Sequence, residues 1–315
     1  MNRTTSPGDI PDRSWIDRIA PGPARPYLRL ARLDRPIGTW LLLYPCWWGM
    51  ALALGAAAGS GVDAWRVAWL AVLFALGAVV MRGAGCVVND ILDRDFDARV
   101  ARTSTRPIPS GQVSVAQALA YLAGLLALGL AILLQFNPPT IWLGVASLAL
   151  VFPYPLMKRI TWWPQLFLGL TFNWGALMGW TAITGAAEPS GAVLAPLALY
   201  AAGVVWTLGY DTIYAHQDKE DDARIGVRST ALRLGPASRA WVGGFYAATV
   251  AGLAAAGLLA ELSPLFLAPL ALATLQLTWQ TARWNPDDPA NCLAKFKSNK
   301  WFALLVLLAL AAGSV

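Results

Sequence analysis

Two acid-rich segments of this sequence contain half of its acidic residues. Nine of the 18 Asp and Glu residues lie within 90–97 and 211–222. When residues 93–105 are compared with residues 218–230, six of the thirteen positions match, including the pairs Asp93/Asp218 and Asp97/Asp222. Each segment follows a long apolar stretch. Because carboxylates near hydrocarbon are costly unless something binds them, these segments are the first candidates for a functional site.

The spacing of the carboxylates predicts that they share helix faces. On one continuous helix, Asp211, Asp218 and Asp222 would fall in a narrow stripe, and Asp90 and Asp97 are likewise seven residues apart. Carboxylates that face a common space repel one another and stay ionised only if cations neutralise them. Oxygen ligands favour Mg²⁺ over zinc or copper, and Mg²⁺ is typically shared between carboxylates and substrate phosphates. The two segments therefore predict a site that binds a diphosphate through Mg²⁺.

Basic residues accompany both segments and are candidates for binding phosphate oxygens. They are Arg99, Arg102 and Arg106 after the first segment, and Lys219, Arg224 and Arg228 in and after the second. Such cations would stabilise a departing diphosphate. The alternative for each of them is a solvated loop that obeys the positive-inside rule.

The chain offers no ligand set for zinc. Its single histidine, His216, has no cysteine partner, and we expect it on a helix surface. The cysteines Cys46, Cys86 and Cys292 lie far apart with no CxxC motif, which indicates neither a disulfide framework nor a thiolate site. We expect them to pack within helices.

The elements that carry the acidic segments are predicted to be membrane-spanning helices. The mean hydropathy is +0.51, and 13% of residues are charged, compared with about 25% in a soluble domain. Runs long enough to cross the hydrocarbon layer as helices lie at nine places: 37–58, 66–89, 114–135, 139–157, 164–185, 192–214, 238–260, 263–283 and 300–314. We therefore predict an all-α integral membrane protein with nine transmembrane helices.

The distribution of basic residues predicts the orientation of these spans. Of the 24 Lys and Arg residues, 23 fall on the same side as the N-terminus, and only Arg66 falls on the other side. The positive-inside rule places the N-terminus and both acidic segments at the cytoplasmic face and Val315 outside, in a membrane that we expect to be a bacterial inner membrane. The basic residues are spread over separate loops, which argues against nucleic-acid binding.

The chain is predicted to consist of a tail and one membrane domain. Residues 1–35 contain seven Arg and lack the apolar core of a cleavable signal, so we expect a polar cytoplasmic tail with an interfacial helix around 15–31. Residues 36–315 would form the transmembrane domain.

The acidic segments also match known motifs. Residues 89–97 read NDxxDxxxD and residues 218–222 read DxxxD, and together they resemble the two signature motifs of the UbiA superfamily of intramembrane prenyltransferases. The strings at 32–39, 85–90, 106–111, 154–159 and 211–215 resemble those of the 4-hydroxybenzoate polyprenyltransferases within it. The resemblance extends from about residue 27 to the end.

This resemblance implies a fold and a set of site residues. The helices would surround a central cavity that opens laterally to lipid. One Mg²⁺ would be held by Asn89, Asp90, Asp93 and Asp97, and another by Asp211, Asp218 and Asp222. The substrate-binding residues would be Arg35, Arg99, Arg102, Arg106, Tyr154, Lys158, Arg159, Tyr214, Lys219 and Arg228. Among these, Arg159, followed by Arg35, is expected to bind the carboxylate of the aromatic acceptor.

It also implies a reaction. The diphosphate of a polyprenyl diphosphate would leave, and the allylic cation would alkylate 4-hydroxybenzoate on the ring carbon ortho to its hydroxyl, an early step of ubiquinone biosynthesis. A nearby carboxylate or the released diphosphate would take the ring proton. A hydrocarbon cavity that excludes water would protect the cation.

Three alternatives compete with this reaction. A UbiA-type enzyme could use a different aromatic acceptor, and a secondary transporter could also carry paired carboxylates. The position of the carboxylates at span ends, beside cations, favours an enzyme. A CDP-alcohol phosphotransferase is disfavoured because its DGxxAR string is missing: Asp97-Ala-Arg99 lacks the glycine. The sequence predicts neither the prenyl chain length nor the oligomeric state.

Overall fold

The computed structural model describes residues 14–56, 62–99, 103–185 and 193–315. Within these ranges the regular structure is helical, and no strand occurs, which confirms the predicted all-α class. The α-helices are α1 (Trp15–Ile19), α2 (Arg25–Leu30), α3 (Ile37–Ala56), α4 (Ala64–Leu92), α5 (Arg94–Asp97), α6 (Val115–Leu133), α7 (Pro138–Ala146), α8 (Leu148–Val151), α9 (Met157–Ile160), α10 (Pro164–Thr184), α11 (Leu194–Ala215), α12 (Lys219–Ile225), α13 (Thr230–Leu234), α14 (Ser238–Leu259), α15 (Leu267–Ala282) and α16 (Pro289–Gly313).

Capping residues set the beginnings of several helices. At the start of α6, Ser114 and Gln117 form a capping box, in which each side chain accepts a hydrogen bond from the backbone N–H of the other. At the start of α16, Asp288 Oδ1 accepts from Ala290 N at 2.9 Å, and Pro289 occupies the first helical position. These local signals begin the helices that the apolar runs then extend.

Seven helical segments of the described chain are long and apolar enough to cross a membrane. They are Ile37–Ala56, Ala64–Leu92, Val115–Leu133, Pro138–Ile160, Pro164–Thr184, Thr230–Leu259 and Pro289–Gly313. The protein is therefore an integral membrane protein, as predicted. The sixth and eighth predicted spans coincide with α11 and with α15, which has 16 residues, but neither helix belongs to those seven. The count of nine and the sides of the two termini stay predictions.

Two predicted spans differ in detail from the structure. The fourth, at 139–157, is broken into α7, α8 and a 3-10 turn at Tyr154–Leu156. Pro153 and Pro155 lack the N–H that a continuous helix needs there. The last span, expected from residue 300, begins at Pro289, because the cap at Asp288 starts a helix whose first half is polar.

The chain divides into two compact units. The described residues of the first lie within 14–39 and 75–134. Its core contains Leu30, Val87, Ile108, Val113 and Ala118. Leu30 belongs to the predicted polar tail and yet is fully buried. In place of one interfacial helix at 15–31 the structure has α1 and α2, separated by a 3-10 turn that begins after Pro21.

The described residues of the second unit lie within 40–74 and 135–315. Within it α3 and α10 approach closely through small residues, as helices in membranes often do. A Cβ at Gly49 would lie 2.0 Å from the carbonyl oxygen of Ala176, and a Cβ at Gly179 would lie 2.0 Å from that of Cys46. Glycine is required at both positions for this contact.

Aromatic rings fix α11 in the second unit. The ring centroid of Trp206 lies 5.2 Å from that of Trp48, 5.2 Å from that of Phe302 and 4.8 Å from that of Tyr210. Trp206 Nε1 donates to Asn299 Oδ1 at 2.9 Å. This buried cluster holds the part of α11 that directly precedes Asp211.

Candidate functional site

The first acidic segment spans the end of one helix and the whole of another. Asn89 and Asp90 lie in the last turn of α4, whereas Asp93 is the N-cap residue of α5 and Asp97 its last residue. The single helix assumed for Asp90 and Asp97 is therefore wrong, because Asp93 has non-helical torsion angles (φ −99, ψ 2). The backbone N–H of Asp97 donates to the carbonyl oxygen of Asp93 at 2.8 Å.

Asp90 is the centre of a buried ionic network in the first unit. Its side chain is 0% exposed, and its Oδ1 accepts from Arg32 Nη2 at 2.7 Å and from Arg106 Nη1 at 3.4 Å. Arg106 Nη1 also donates to Asp97 Oδ2 at 2.7 Å. The structure thus connects three predicted site residues, Asp90, Asp97 and Arg106, by salt bridges.

Arg32 is the member of this network that the sequence patterns do not mark as a site residue. It stands at the start of the string 32–39, but only Arg35 of that string was given a role. Its partner Asp90 is 58 residues away in the sequence, and no local periodicity connects the two. The feature of the sequence that could have indicated Arg32 is its place at the start of the string 32–39.

Asp97 is buried and held by neighbouring residues. Burial raises the pKa of its carboxyl above the ordinary 3.8, and the nearby charge of Asp93 raises it further, while Arg106 partly offsets both effects. Thr103 Oγ1 donates to the carbonyl oxygen of Asp97 at 2.9 Å. A second cation near this carboxyl would therefore favour its ionised form.

The other predicted residues of the first unit differ in exposure. Asn89 and Asp93 are half-buried, Arg99 is exposed, and Arg102 lies outside the described residues. Arg35 Nε donates to Asp34 Oδ1 at 3.2 Å, and the side chain of Asp34 is fully buried. Arg35 is thus already engaged by a neighbouring carboxylate.

The second acidic segment is also divided between two helices. Asp211 lies near the end of α11, Asp218 is the N-cap residue of α12, and Asp222 lies within α12. The predicted continuous stripe through the three is therefore wrong, because α11 ends at Ala215. As in the first segment, the N-cap aspartate has φ −115 and ψ 9, and Asp222 N donates to Asp218 O at 2.9 Å.

His216 fixes the end of α11. Its Nε2 lies 2.9 Å from Ser238 Oγ, and its ring packs edge-on against Trp284 with centroids 5.0 Å apart. The side chain is buried, so its predicted place on a helix surface is wrong. Burial, with a smaller contribution from Lys219, lowers the pKa of His216 to about 4. The ring is therefore neutral near pH 7.

The basic residues of the second segment contact neighbouring loops. Lys219 Nζ lies 2.5 Å from Asp287 Oδ1. Arg228 donates through its backbone N to Lys158 O at 2.9 Å and through Nη1 to Ile160 O at 2.6 Å, and its guanidinium lies 5.5 Å from the ring centroid of Trp162. Arg228 and the predicted residue Lys158 are thus brought together.

The remaining predicted residues of the second unit lie in α9, directly before α9, or near the end of α11. Tyr154 begins a 3-10 turn and is half-buried, and Arg159 in α9 is exposed. The ring centroid of Tyr214 lies 4.5 Å from that of Phe296, and the two rings are tilted by 38°.

Both acidic segments have the donor chemistry that Mg²⁺ requires. Among the described residues, no three His, Cys, Asp or Glu side chains converge closely enough to hold a metal ion by themselves. Mg²⁺ does not need such a cage, since it keeps several waters and takes one or two carboxylates together with phosphate oxygens. The carboxylates and the Asn89 amide fit that pattern.

Comparison with known proteins decides the family. The sequence matches the UbiA prenyltransferase family over residues 42–311. This chain belongs to that family. The Arabidopsis thaliana protein named 4-hydroxybenzoate polyprenyltransferase, mitochondrial, is 50% identical over 304 residues, which cover 96% of this chain and 72% of the relative. The resemblance stated from the motifs is confirmed.

Solved structures of UbiA homologs have the same fold. The apo structure from Aeropyrum pernix K1 has a TM-score of 0.68 and 29% identity, covering 86% of this chain and 96% of that one. A homolog from Archaeoglobus fulgidus, bound to GPP and Mg²⁺, has a TM-score of 0.63 and 21% identity, covering 91% and 99%. The second likeness concerns the fold alone.

Proposed function

We propose that this protein transfers a polyprenyl group from polyprenyl diphosphate to 4-hydroxybenzoate, on the ring carbon ortho to the hydroxyl, as a step of ubiquinone biosynthesis. The observation that carries the proposal is the 50% identity, over 96% of this chain and 72% of the relative, to a protein named for this activity. The placement of both signature motifs at helix ends is consistent with it.

The proposed cofactor is Mg²⁺, and the homolog bound to GPP and Mg²⁺ supports this choice. One Mg²⁺ would be held by Asn89, Asp90, Asp93 and Asp97 in the first segment, and another by Asp211, Asp218 and Asp222 in the second. When bound, the ion draws negative charge onto the diphosphate and so favours its departure.

The basic side chains complete the binding of the diphosphate. Arg106, Lys219 and Arg228 would donate to phosphate oxygens. Arg99 and Arg102 lie near Arg106 in the sequence, and Lys158 contacts Arg228 through its backbone carbonyl oxygen. Each of the first three already contacts a carboxylate or carbonyl oxygen, so each is held in one orientation before it meets the substrate. Such preorganisation lowers the entropy lost on binding.

Other residues are proposed to bind the acceptor and protect the cation. Arg159, exposed at the end of α9, would pair with the carboxylate of 4-hydroxybenzoate, with Arg35 as the second candidate. The faces of Tyr154 and Tyr214 would stabilise the allylic cation through their ring π-electrons. A carboxylate of the segments or the released diphosphate would accept the ring proton.

The site is proposed to lie at the cytoplasmic face of the membrane, because nearly all basic residues fall on that side of the predicted topology. The distribution of basic residues along the sequence is the basis for expecting a bacterial inner membrane, whereas relatives such as the Arabidopsis protein are named mitochondrial. Lipid surrounds the apolar helices and supplies the prenyl substrate.

A product assay tests the proposal. The full chain, purified in detergent, is incubated with radiolabelled polyprenyl diphosphate and 4-hydroxybenzoate, with Mg²⁺ or with EDTA. We expect prenylated 4-hydroxybenzoate with Mg²⁺ only. No prenylated product with any aromatic acid would refute the enzyme and favour a transporter, whereas product with another acid only would identify a different acceptor.

Two aspartates of the first segment supply a matched pair of variants. Asp93→Asn removes a proposed ligand and should lose nearly all turnover, as should Asp218→Asn in the second segment. Asp95→Asn changes a side chain that is 75% exposed and pairs with Arg94 at 3.5 Å. It should keep turnover near that of the wild type. Equal turnover in Asp93→Asn and Asp95→Asn would contradict the assignment of ligands.

A further inference from the structure

We propose that Arg32, which had no assigned role, binds a phosphate oxygen of the prenyl diphosphate. The inference rests on the proposed function and adds a residue to it. Two observations carry it: the anchoring of its guanidinium by Asp90 and the unused donor that this anchoring leaves.

The backbone of Arg32 has a conformation that usually belongs to glycine. Its φ is +59. It follows the C-cap residue Ala31 of α2, its N–H donates to Arg29 O at 3.0 Å, and the next N–H, of Leu33, donates to Leu28 O at 3.1 Å. This pair of bonds is a Schellman motif, in which the left-handed position is most often glycine.

When only the backbone conformation is considered, an arginine at this position is less favourable than a glycine. A side chain in the left-handed region clashes with the following carbonyl group, which glycine avoids. Strain of this kind persists where the surrounding structure fixes the residue. At Arg32 the ion pair with Asp90 is one such constraint.

The guanidinium is anchored on one side. Arg32 Nη2 donates to Asp90 Oδ1 at 2.7 Å, and the Arg32 side chain is 10% exposed. Because Asp90 is fully buried and also contacts Arg106, it holds the guanidinium in a fixed orientation. Asp90 belongs to the motif proposed to hold Mg²⁺, so a phosphate bound through that ion would be a neighbour of Arg32.

The other terminal nitrogen is available for a ligand. Arg32 Nη1 is buried and has no hydrogen-bond partner among the described residues. A buried donor without a partner is costly, and a guanidinium presents its donors in a planar fork that matches phosphate oxygens. A phosphate oxygen of the diphosphate is the ligand that satisfies this donor.

A second Schellman motif provides a matched control. Glu261, after α14, has φ +53, its N–H donates to Leu258 O at 3.1 Å, and the N–H of Leu262 donates to Gly257 O at 3.0 Å. Glu261 is exposed and lies outside both acidic segments. Glu261→Gly therefore relieves the same backbone conformation as Arg32→Gly without removing a side chain from Asp90.

The test measures binding to the purified full chain in detergent. The affinity for inorganic pyrophosphate is measured by calorimetry at fixed Mg²⁺, with inorganic phosphate as a comparison, and the affinity for Mn²⁺ alone is measured by electron paramagnetic resonance. Arg32→Gly should weaken pyrophosphate binding at least tenfold, equivalent to 1.4 kcal/mol. Its Mn²⁺ affinity without pyrophosphate should stay within twofold of the wild type. Glu261→Gly should match the wild type in both measurements.

Specific outcomes would overturn the inference. Pyrophosphate affinity of Arg32→Gly within twofold of the wild type would exclude a phosphate contact. An equal loss of Mn²⁺ affinity without pyrophosphate would show that Arg32 only orients Asp90. If Arg32→Gly does not fold, Arg32→Lys retains the charge but loses the fork, and severalfold weaker binding is expected; unchanged binding would overturn the inference.

The same experiment separates this inference from the proposed function. A wild-type protein that binds no pyrophosphate with Mg²⁺ would refute the proposed function itself. A wild-type protein that binds it and forms product, beside an Arg32→Gly variant that binds equally well, would refute the role of Arg32 alone.

Discussion

Arg106→Gln should destabilise the protein substantially, because Arg106 bridges two buried carboxylates. Its Nη1 lies 2.7 Å from Asp97 Oδ2 and 3.4 Å from Asp90 Oδ1. Glutamine has a similar size near the backbone but no positive charge. The substitution therefore leaves Asp97 without this cation, whereas Asp90 keeps its contact with Arg32.

The magnitude follows from the burial of the groups. The side chains of Arg106 and Asp97 are 15% and 11% exposed, and that of Asp90 is 0% exposed. Removing one partner of a buried pair costs about 3–5 kcal/mol. Since Arg32 still compensates Asp90, we expect a loss near the lower end, about 3 kcal/mol in the free energy of unfolding.

The loss should depend on pH. The folded-state pKa of Asp97 is raised, so the native state binds this proton more tightly than the unfolded state does. The stability contributed by the protonated carboxyl is therefore lost as pH rises through the folded-state pKa. Arg106 lowers this pKa, so removing it raises the pKa further. The difference between Arg106→Gln and the wild type should therefore be largest at pH 8 and shrink towards pH 5.

The difference in stability between Arg106→Gln and the wild type is measured by unfolding both proteins in mixed micelles. Dodecyl sulfate is titrated in, and unfolding is followed by tryptophan fluorescence. EDTA keeps divalent cations from binding the carboxylates. Arg94→Gln is the matched control, because Arg94 and Asp95 are 46% and 75% exposed and pair at 3.5 Å. Such surface pairs contribute below about 1 kcal/mol. A loss in Arg106→Gln no larger than that of the control, or one that is equal at pH 5 and pH 8, would refute the reasoning.

Three other substitutions have definite expected outcomes. Arg159→Ala should raise the KM for the aromatic acid severalfold, and an unchanged KM would exclude it as the carboxylate partner. Gly179→Ala should lower the free energy of unfolding by about 2 kcal/mol, because its Cβ would lie 2.0 Å from Cys46 O; Gly244→Ala, whose Cβ would meet nothing within 4 Å, is the control. His216→Gln should reduce the loss of stability as pH falls from 6.5 towards 4, since burial lowers the pKa of the neutral ring to about 4; equal acid sensitivity would contradict this.

The sequence predicted the features of this fold that depend on composition and local pattern. Apolar runs predicted the membrane helices, and the acidic motifs predicted the candidate site at helix ends. The sequence could not predict that the helices stop inside the motifs. The spacing of Asp211, Asp218 and Asp222 is the same whether or not the helix continues, and the end of α11 is fixed by a contact of His216 with Ser238, which lies on another helix.

The network around Asp90 was unpredictable for a similar reason. A periodicity argument compares residues that are close in sequence, whereas Arg32 and Arg106 reach Asp90 from 58 and 16 residues away. A pattern of charges along the sequence also does not indicate that an aspartate is fully buried. Such contacts between distant segments decide which of several nearby cations is held against a given carboxylate.

The internal repeat extends from the sequence to the local backbone. Asp93 and Asp218, which match at the offset between the segments, are both N-cap residues, with φ −99, ψ 2 and φ −115, ψ 9. In each case the N–H of the aspartate four residues later donates to the N-cap carbonyl oxygen, at 2.8 Å for Asp97 and 2.9 Å for Asp222. The partners differ, because Arg106 contacts Asp97 whereas Lys219 contacts Asp287. Two segments with different surroundings thus present a pair of aspartates in the same local geometry, as expected if both segments perform the same task of holding a hydrated cation.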